Sequence, residues 1–247
     1  PILSGLVGSE MCIRDRVEGL GYFNECLKQH NVKVDICNIS KENSNINLKK
    51  YDSLWVLGGP MNTAQEEECP WMKVEKRLIT EAALERKIPF MGICLGCQFL
   101  GEALGGSIKK MEKPEIGVAN VKLLDTTSSL FRDSPKTFRV LHWHSYQVTD
   151  LPNECDVLAE SELCKIQAFS YQDSAFGIQF HVEETENTVE DWCTVPEYKE
   201  SLEQSLGPKG VNNMKKTVAD ALPQSKKIAE IVVKNFIEKV KGGQGWL

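Results

Sequence analysis

The stretch from Met91 to Gly106 reads MGICLGCQFLGEALGG and joins an apolar strand to an apolar-periodic helix. It contains two cysteines three positions apart, Cys94 and Cys97, with glycines two positions before and after Cys94. A C-x-x-C pair that opens a helix after a strand is typical of thiol redox proteins. G-x-C-x-G is also the thiol form of the nucleophile elbow, a tight turn that exposes a nucleophile. Residues elsewhere in the chain must decide between these two interpretations.

Strands and helices alternate on both sides of this stretch. The predicted helices are Glu18–Gln29, Trp71–Arg86 and Leu95–Leu104, and the predicted strands are Val32–Ile39, Ser53–Leu57 and Ile88–Ile93. Shorter strands are then predicted at Gly117–Leu124, Thr137–Leu141 and Phe176–Phe180, and a C-terminal helix at Thr217–Val240 with an interruption at Pro223. This alternation predicts a single α/β domain with a central, mostly parallel sheet flanked by helices.

Residues 1–16, PILSGLVGSEMCIRDR, do not fit this pattern. Serines and glycines break their apolar run, which then becomes charged, whereas such a fold should open with a strand of branched apolar residues. The segment resembles translated sequencing-adapter sequence, and we interpret it as non-native. The alternative is a divergent native strand at Ile2–Val7. The α/β domain is therefore predicted to span residues 17–247, with a helical C-terminal part.

The composition excludes several classes of function. Hydrophobic residues make up 41% and charged residues 26% of 247 residues, and the formal net charge is −6. No basic cluster indicates nucleic-acid binding, and no apolar run reaches membrane-spanning length. The nine cysteines are scattered, which favours buried thiols in a reducing compartment and hence a cytoplasmic protein. A zinc site is not indicated, because the single C-x-x-C has no second ligand pair.

Cys94 has the surroundings of a catalytic thiol. The predicted turn places its sulfur near the N-terminus of a helix, whose dipole favours the thiolate, and the Leu95 N–H can stabilise an oxyanion. His181 follows the predicted strand Phe176–Phe180, and Glu183 lies two residues further on. An imidazole oriented by a carboxylate can take the thiol proton and return it to a leaving group. His181 and Glu183 therefore favour the nucleophile interpretation.

Several motifs occur in a defined order along the chain. They are VLGGPM at 56–61, GICLGCQ at 92–98, ALGG at 103–106, EIG at 115–117, LHWHSYQV at 141–148 and FGIQFHVE at 176–183. Together they resemble the class I glutamine amidotransferases, and within that family they are most similar to free-standing members akin to the glutaminase domain of GMP synthase. The resemblance covers about Gly19 to Trp192 and implies a flavodoxin-like α/β fold.

The resemblance also implies roles for individual residues. Cys94 matches the nucleophile, His181 the base and Glu183 the residue that orients it. Gly59 matches the residue whose N–H joins that of Leu95 in the oxyanion hole. The residues that match substrate-binding positions are Gln98, Ser145 and Tyr146. Many members have proline between the catalytic His and Glu, where this chain has Val182, and we expect this departure to be tolerated.

The resemblance implies a glutaminase-type hydrolase that needs no metal or organic cofactor. Its substrate would be glutamine or a small γ-glutamyl compound, cleaved through a cysteine thioester. The ammonia would pass to a separate synthetase subunit, or the protein would act as an independent γ-glutamyl hydrolase. The polar segment Gln65–Glu68 slightly favours the independent hydrolase, and the C-terminal helix is an alternative docking element. A C-x-x-C redox protein and a catalytically inactive binding protein remain alternatives.

Overall fold

A mixed β-sheet runs through the middle of the protein, with helices on both faces. The computed structural model describes residues 8–12 (backbone only), 18–37, 39, 46–124 and 128–243. The strands in this part are β1 Gly8–Cys12, β2 Lys33–Cys37, β3 Ser53–Val56, β4 Phe90–Ile93, β5 Ser107–Leu123, β6 Thr137–Asp150, β7 Cys155–Glu160, β8 Ala168–Tyr171 and β9 Ala175–Ile178. The helices are α1 Phe23–Gln29, α2 Met72–Thr80, α3 Leu95–Ala103, α4 Thr188–Trp192, α5 Pro196–Leu206 and α6 Gly210–Gly243.

The sheet is parallel in one half and antiparallel in the other. The strand order among the described residues is β2-β1-β3-β4-β9-β8-β7-β5-β6. In this order, each adjacent pair from β2 to β9 is parallel, and each adjacent pair from β9 to β6 is antiparallel. The predicted α/β fold class is confirmed, and its parallel part is the half that carries Cys94.

Two apolar layers enclose the parallel half because successive side chains of a strand point to opposite faces. Trp55 of β3 packs on one face, where its indole meets Phe23 of α1 and Phe236 of α6 edge-on. Leu54 and the other apolar side chains on the opposite face pack against α2 and α3. The C-terminal helix thus buries its apolar side in the core, which leaves only its polar side for docking.

Helix α1 begins at Phe23, five residues later than predicted. The preceding residues form a loop, in which Gly21 has a φ of +47° and a Cβ would lie 2.0 Å from the carbonyl oxygen of Glu183. The backbone N–H of Tyr22 donates to the same oxygen at 2.8 Å. This loop therefore lies directly against the segment that carries Glu183, and its close approach requires glycine.

Strand β1 lies within the N-terminal segment 1–16. Strand β1 pairs in parallel with both β2 and β3, so it is an interior strand. The alternative strand at Ile2–Val7 lies outside the described residues. The segment Gly8–Cys12 supplies backbone pairing in spite of its poor strand composition, because the ladder hydrogen bonds do not depend on the side chains.

Several predicted bounds were wrong in the C-terminal half, where β5, β6 and α6 are all longer than predicted. Helix α6 continues through Pro223, where an interruption was predicted. The apolar residues after the proline, including Val232 and Phe236, are buried in the core, and this packing offsets the lost backbone hydrogen bond. Strand β6 extends from Thr137 to Asp150, well beyond the predicted end at Leu141, because β5 pairs with it along most of its length.

Candidate active site

Cys94 lies in a strained turn between β4 and α3. Its φ of 51° and ψ of −102° are in a region that residues other than glycine rarely adopt. A Cβ at Gly92 would lie 2.4 Å from the carbonyl oxygen of Gly96, and a Cβ at Gly96 would lie 2.0 Å from that of Val56. Both glycines are thus required by close backbone packing, and the predicted elbow geometry is observed.

The two thiols of the C-x-x-C pair have different surroundings. Cys94 is buried but lines a cavity, whereas Cys97 is fully buried in the core between α3 and the sheet. Both thiols are free. Burial raises the pKa of Cys97 well above its ordinary value, so this thiol is held in its unreactive protonated form. These surroundings disfavour Cys97 as a redox partner.

His181 and Glu183 form a buried pair at the carboxyl end of β9. The distance from His181 Nδ1 to Glu183 Oε1 is 2.6 Å. The backbone N–H of Val182 donates to Glu183 Oε2 at 3.0 Å. Both carboxylate oxygens are therefore held, and valine contributes an N–H that proline at this position would lack.

The imidazole of His181 also interacts electrostatically with Cys94. Burial disfavours the charged imidazolium, but the Glu183 carboxylate and the Cys94 thiolate outweigh it and raise the pKa of His181 well above its ordinary value. With Nδ1 directed to Glu183, Nε2 is left for exchange with the thiol, and it makes no regular hydrogen bond within the described part of the chain. The arrangement favours the protonated form of the His181 imidazole.

Cys94 opens into a cavity of about 260 Å³. The residues with predicted roles that line it are Gly59, Cys94, Leu95, Gln98, Ser145 and Tyr146. Gly59 comes from the loop after β3, Leu95 and Gln98 from α3, and Ser145 and Tyr146 from β6. The fold therefore brings the residues predicted for the oxyanion hole and for substrate binding to the same cavity as Cys94. His30 is exposed at the end of α1 and is not among the residues that line this cavity.

Gln98 connects the walls of the cavity. It is buried, and its Nε2 donates to the Tyr146 carbonyl oxygen and to Gln179 Oε1, at 3.1 Å each. His144 Nδ1 lies 3.0 Å from the same carbonyl oxygen. These contacts fix the backbone of the segment that carries Ser145 and Tyr146.

One group of described residues has metal-ligand chemistry. Ligand atoms of Glu115, His142 and His144 all lie within 4.8 Å of one another, and all three residues are buried. The Gln167 Nε2 atom, however, lies 2.6 Å from Glu115 Oε2 and 3.3 Å from His142 Nδ1, in the space that an ion would need. Burial lowers the pKa of His142 to about 4, so this ring is neutral. We interpret the group as a hydrogen-bonded network behind the cavity.

The segment after Glu183 completes the cavity, and sequence analysis missed its contribution. Trp192 of α4 packs edge-on against the His181 ring and stacks on Tyr198 of α5, with centroid distances of 4.7 and 5.5 Å. The indole N–H of Trp143 donates to Ser201 at 3.2 Å. Tyr198 and Ser201 both line the cavity, so α5 forms part of its wall. Pro196 at the first turn of α5 was a usable helix-start signal.

The chain belongs to the class I glutamine amidotransferase family. The family model described as glutamine amidotransferase class-I matches residues 22–191, which is more than half of the chain. The chain is 36% identical over 149 residues to the glutamine amidotransferase-like protein YfeJ of Salmonella typhimurium, covering 58% of this chain and 62% of YfeJ. It thus spans less than two thirds of that relative. It is 32% identical over 155 residues to the glutamine-hydrolyzing GMP synthase subunit of Sulfolobus acidocaldarius, covering 62% of this chain and 79% of that protein.

Solved structures share the fold over almost the whole chain. A glutamine amidotransferase from Thermotoga maritima superposes with a TM-score of 0.84 at 29% identity, covering 94% of this chain and 98% of that one. A glutamine amido transferase from Methylobacillus flagellatus gives a TM-score of 0.81 at 23% identity, covering 94% and 95%, which supports the fold alone. Helix α4 lies almost wholly within the residues that the family model matches, and helix α5 begins beyond them. In the described part of the chain, no helix is long and apolar enough to span a membrane.

Proposed function

We propose that the protein hydrolyses the side-chain amide of glutamine, or of a small γ-glutamyl compound, through a thioester on Cys94. The observation that carries this proposal is the buried His181–Glu183 pair, joined at 2.6 Å, whose imidazole has a pKa that the neighbouring Cys94 helps to raise. A thiolate beside an imidazolium that a carboxylate orients is the arrangement required for acyl transfer to sulfur.

The first half of the reaction forms the thioester. His181 Nε2 takes the proton of Cys94, and the sulfur attacks the amide carbon of the substrate. The oxyanion that develops is stabilised by the backbone N–H groups of Leu95 and Gly59. When the carbon–nitrogen bond breaks, His181 gives its proton to the leaving nitrogen, and ammonia or an amine departs. Glu183 stays paired with Nδ1 throughout and keeps the imidazole oriented.

The second half regenerates the enzyme. A water molecule enters the position of the leaving group, His181 takes one of its protons, and the resulting hydroxide attacks the thioester carbon. The carbon–sulfur bond breaks, glutamate leaves, and the proton returns to the sulfur of Cys94. Every step uses groups of this chain and water.

Ammonia release from glutamine by purified variants tests the proposal. We expect Cys94→Ala to abolish release and His181→Asn to lower turnover by about a hundredfold or more, the usual effect of removing general acid–base catalysis. Cys97→Ala and His30→Asn are matched controls that should keep most of the activity. Release that survives in Cys94→Ala, or that is lost equally in Cys97→Ala, would show that another group carries the chemistry.

The similarity to the glutamine-hydrolyzing GMP synthase subunit of Sulfolobus acidocaldarius favours a second role, in which the ammonia is passed to a separate synthetase. Glutamine hydrolysis should then rise when the ATP-dependent synthetase is added. An independent hydrolase would instead act on γ-glutamyl amino acids without any partner. Steady-state kinetics on both substrate types, with and without the synthetase, separates the two roles.

A further inference from the structure

The cavity next to Cys94 contains one unpaired charge of each sign. Of the described side chains that line it, Lys110 is the only lysine or arginine and Glu197 is the only carboxylate. Neither forms an ion pair with a residue in the described part of the chain. Apart from Cys94, His144 and the two tyrosines, the remaining lining residues have no ionisable side chain.

The two charges come from different elements. Lys110 pairs with Tyr146 across the β5–β6 ladder, so both side chains lie on the same face of the sheet. The register of this ladder shifts directly after Lys110, and such bulges redirect side chains at binding sites. Glu197 lies in the first turn of α5, adjacent to Tyr198 in the cavity wall.

Aromatic packing fixes the element that carries Glu197. Tyr198 contacts both Trp143 and Trp192, with ring centroids 5.5 Å apart in each pair. Ser201, one turn further along α5, accepts the hydrogen bond from Trp143. The first turn of α5 is therefore held against the cavity, and Glu197 lines the cavity from this packed element.

We propose that Lys110 binds the α-carboxylate and Glu197 the α-ammonium group of the substrate. The inference rests on the proposed function, in which the γ-carbonyl carbon lies at Cys94. The α-carbon of a γ-glutamyl group then lies three bonds away and carries one charge of each sign. A cavity with one lysine and one glutamate complements this zwitterion. The substrate class is thus a free γ-glutamyl amino acid or glutamine with an unblocked α-end, and glutamine within a polypeptide is excluded.

Substrates that lack one of the two charges test each residue separately. We expect Glu197→Gln to lower kcat/KM for glutamine by about tenfold, the range for removing a hydrogen bond to a charged group at a partly exposed site, mainly through KM. The same variant should change kcat/KM for N-acetylglutamine by less than about twofold, because that substrate has no ammonium group. Lys110→Met should lower kcat/KM for glutamine by a similar factor. It should change kcat/KM for glutamine α-methyl ester by less than about twofold, because that substrate has no α-carboxylate.

Two exposed residues provide matched controls. Lys109→Met and Glu200→Gln remove the same charges from neighbouring positions that do not line the cavity, and should leave all substrates unaffected. Equal losses for charged and blocked substrates in Glu197→Gln and Lys110→Met would overturn the assignment.

Calorimetric binding of glutamine and N-acetylglutamine to Cys94→Ala separates this inference from the proposed function. In one outcome, Glu197→Gln or Lys110→Met added to Cys94→Ala weakens glutamine binding, but the wild type does not turn glutamine over. This outcome would reject only the proposed reaction. In the other outcome, the wild type turns glutamine over, but glutamine binds equally well with and without Glu197→Gln or Lys110→Met. This outcome would reject only the roles of Lys110 and Glu197.

Discussion

Trp192 packs edge-on against the imidazole of His181, with ring centroids 4.7 Å apart and an angle of 72° between the planes. The indole is itself stacked on Tyr198 at an angle of 23°. The proposed base is therefore held by Glu183 on one nitrogen and by an aromatic ring beside it. Edge-to-face contacts of this kind favour one ring orientation. We infer that Trp192 is a positioning residue for His181.

Replacing Trp192 by leucine should lower kcat by about tenfold with little change in KM, because the imidazole loses a fixed orientation. The pH profile of kcat should shift as well, since the environment of His181 changes. Trp192→Phe keeps an aromatic ring and should retain most of the activity. A folded Trp192→Leu protein with the wild-type kcat and pH profile would show that Trp192 has only a structural role.

The Val182 backbone provides a second test of base positioning. Val182→Pro removes the N–H that donates to Glu183 Oε2, and we expect kcat to fall by roughly threefold to tenfold, since one hydrogen bond to a charged group is lost. Val182→Ala keeps the N–H and serves as the control. Kinetics on both variants, with circular dichroism to verify folding, measure the effect. Equal activity in the two variants would mean that this hydrogen bond is dispensable.

Glu184 should make stability depend on pH. It is buried next to Glu183, and burial raises its pKa from 4.5 to about 7. Between these values the folded protein holds a proton that the unfolded chain has released, so stability falls as pH rises and levels off above about pH 7. A pKa shift of this size corresponds to a loss of roughly 3 kcal/mol in the free energy of unfolding.

Glu184→Gln should remove this dependence. Urea unfolding at pH 4.5 and pH 8 measures this effect. From the lower to the higher pH, the free energy of unfolding of the variant should rise by roughly 3 kcal/mol relative to that of the wild type. Glu162→Gln, at an exposed position, is the control and should follow the wild type. A constant difference between Glu184→Gln and the wild type at both pH values would refute the raised pKa.

Strand β1 gives a stability prediction for the N-terminal segment. Its sequence GSEMC has low strand propensity, yet it pairs with a strand on each side. Replacing Gly8–Cys12 with β-branched residues should raise Tm by about 2–4 °C or more, the shift expected for a gain of about 1 kcal/mol in a chain of this size. Calorimetry measures the change. A lower Tm would indicate that the native side chains of Gly8–Cys12 contribute to stability.

The local geometry of the candidate site was predictable from sequence where it depends on residues close together in the chain. Gly92 and Gly96 flank Cys94 because the turn has no room for side chains, and this constraint is visible in the spacing alone. The spacing of His181 and Glu183 is similarly local, and the structure places them 2.6 Å apart as a pair.

The roles of Lys110 and Glu197 were not predictable, because they depend on how distant elements pack. Lys110 precedes a bulge in β5, and Glu197 comes to the cavity only because α5 folds back over β6 through its aromatic contacts. Tertiary packing also overrides the local preference of Pro223, which lies within α6. Composition also gave no sign that Gly8–Cys12 would pair with β2 and β3.

Labelling by a glutamine-like diazoketone, followed by peptide mapping by mass spectrometry, tests the central claim most directly. We predict one equivalent of label on Cys94 and none on Cys97, protection by glutamine, and much slower labelling in His181→Asn. Labelling at Cys97 or another residue, or at Cys94 without protection by glutamine, would contradict the proposal that Cys94 attacks the glutamine amide with His181 as its base.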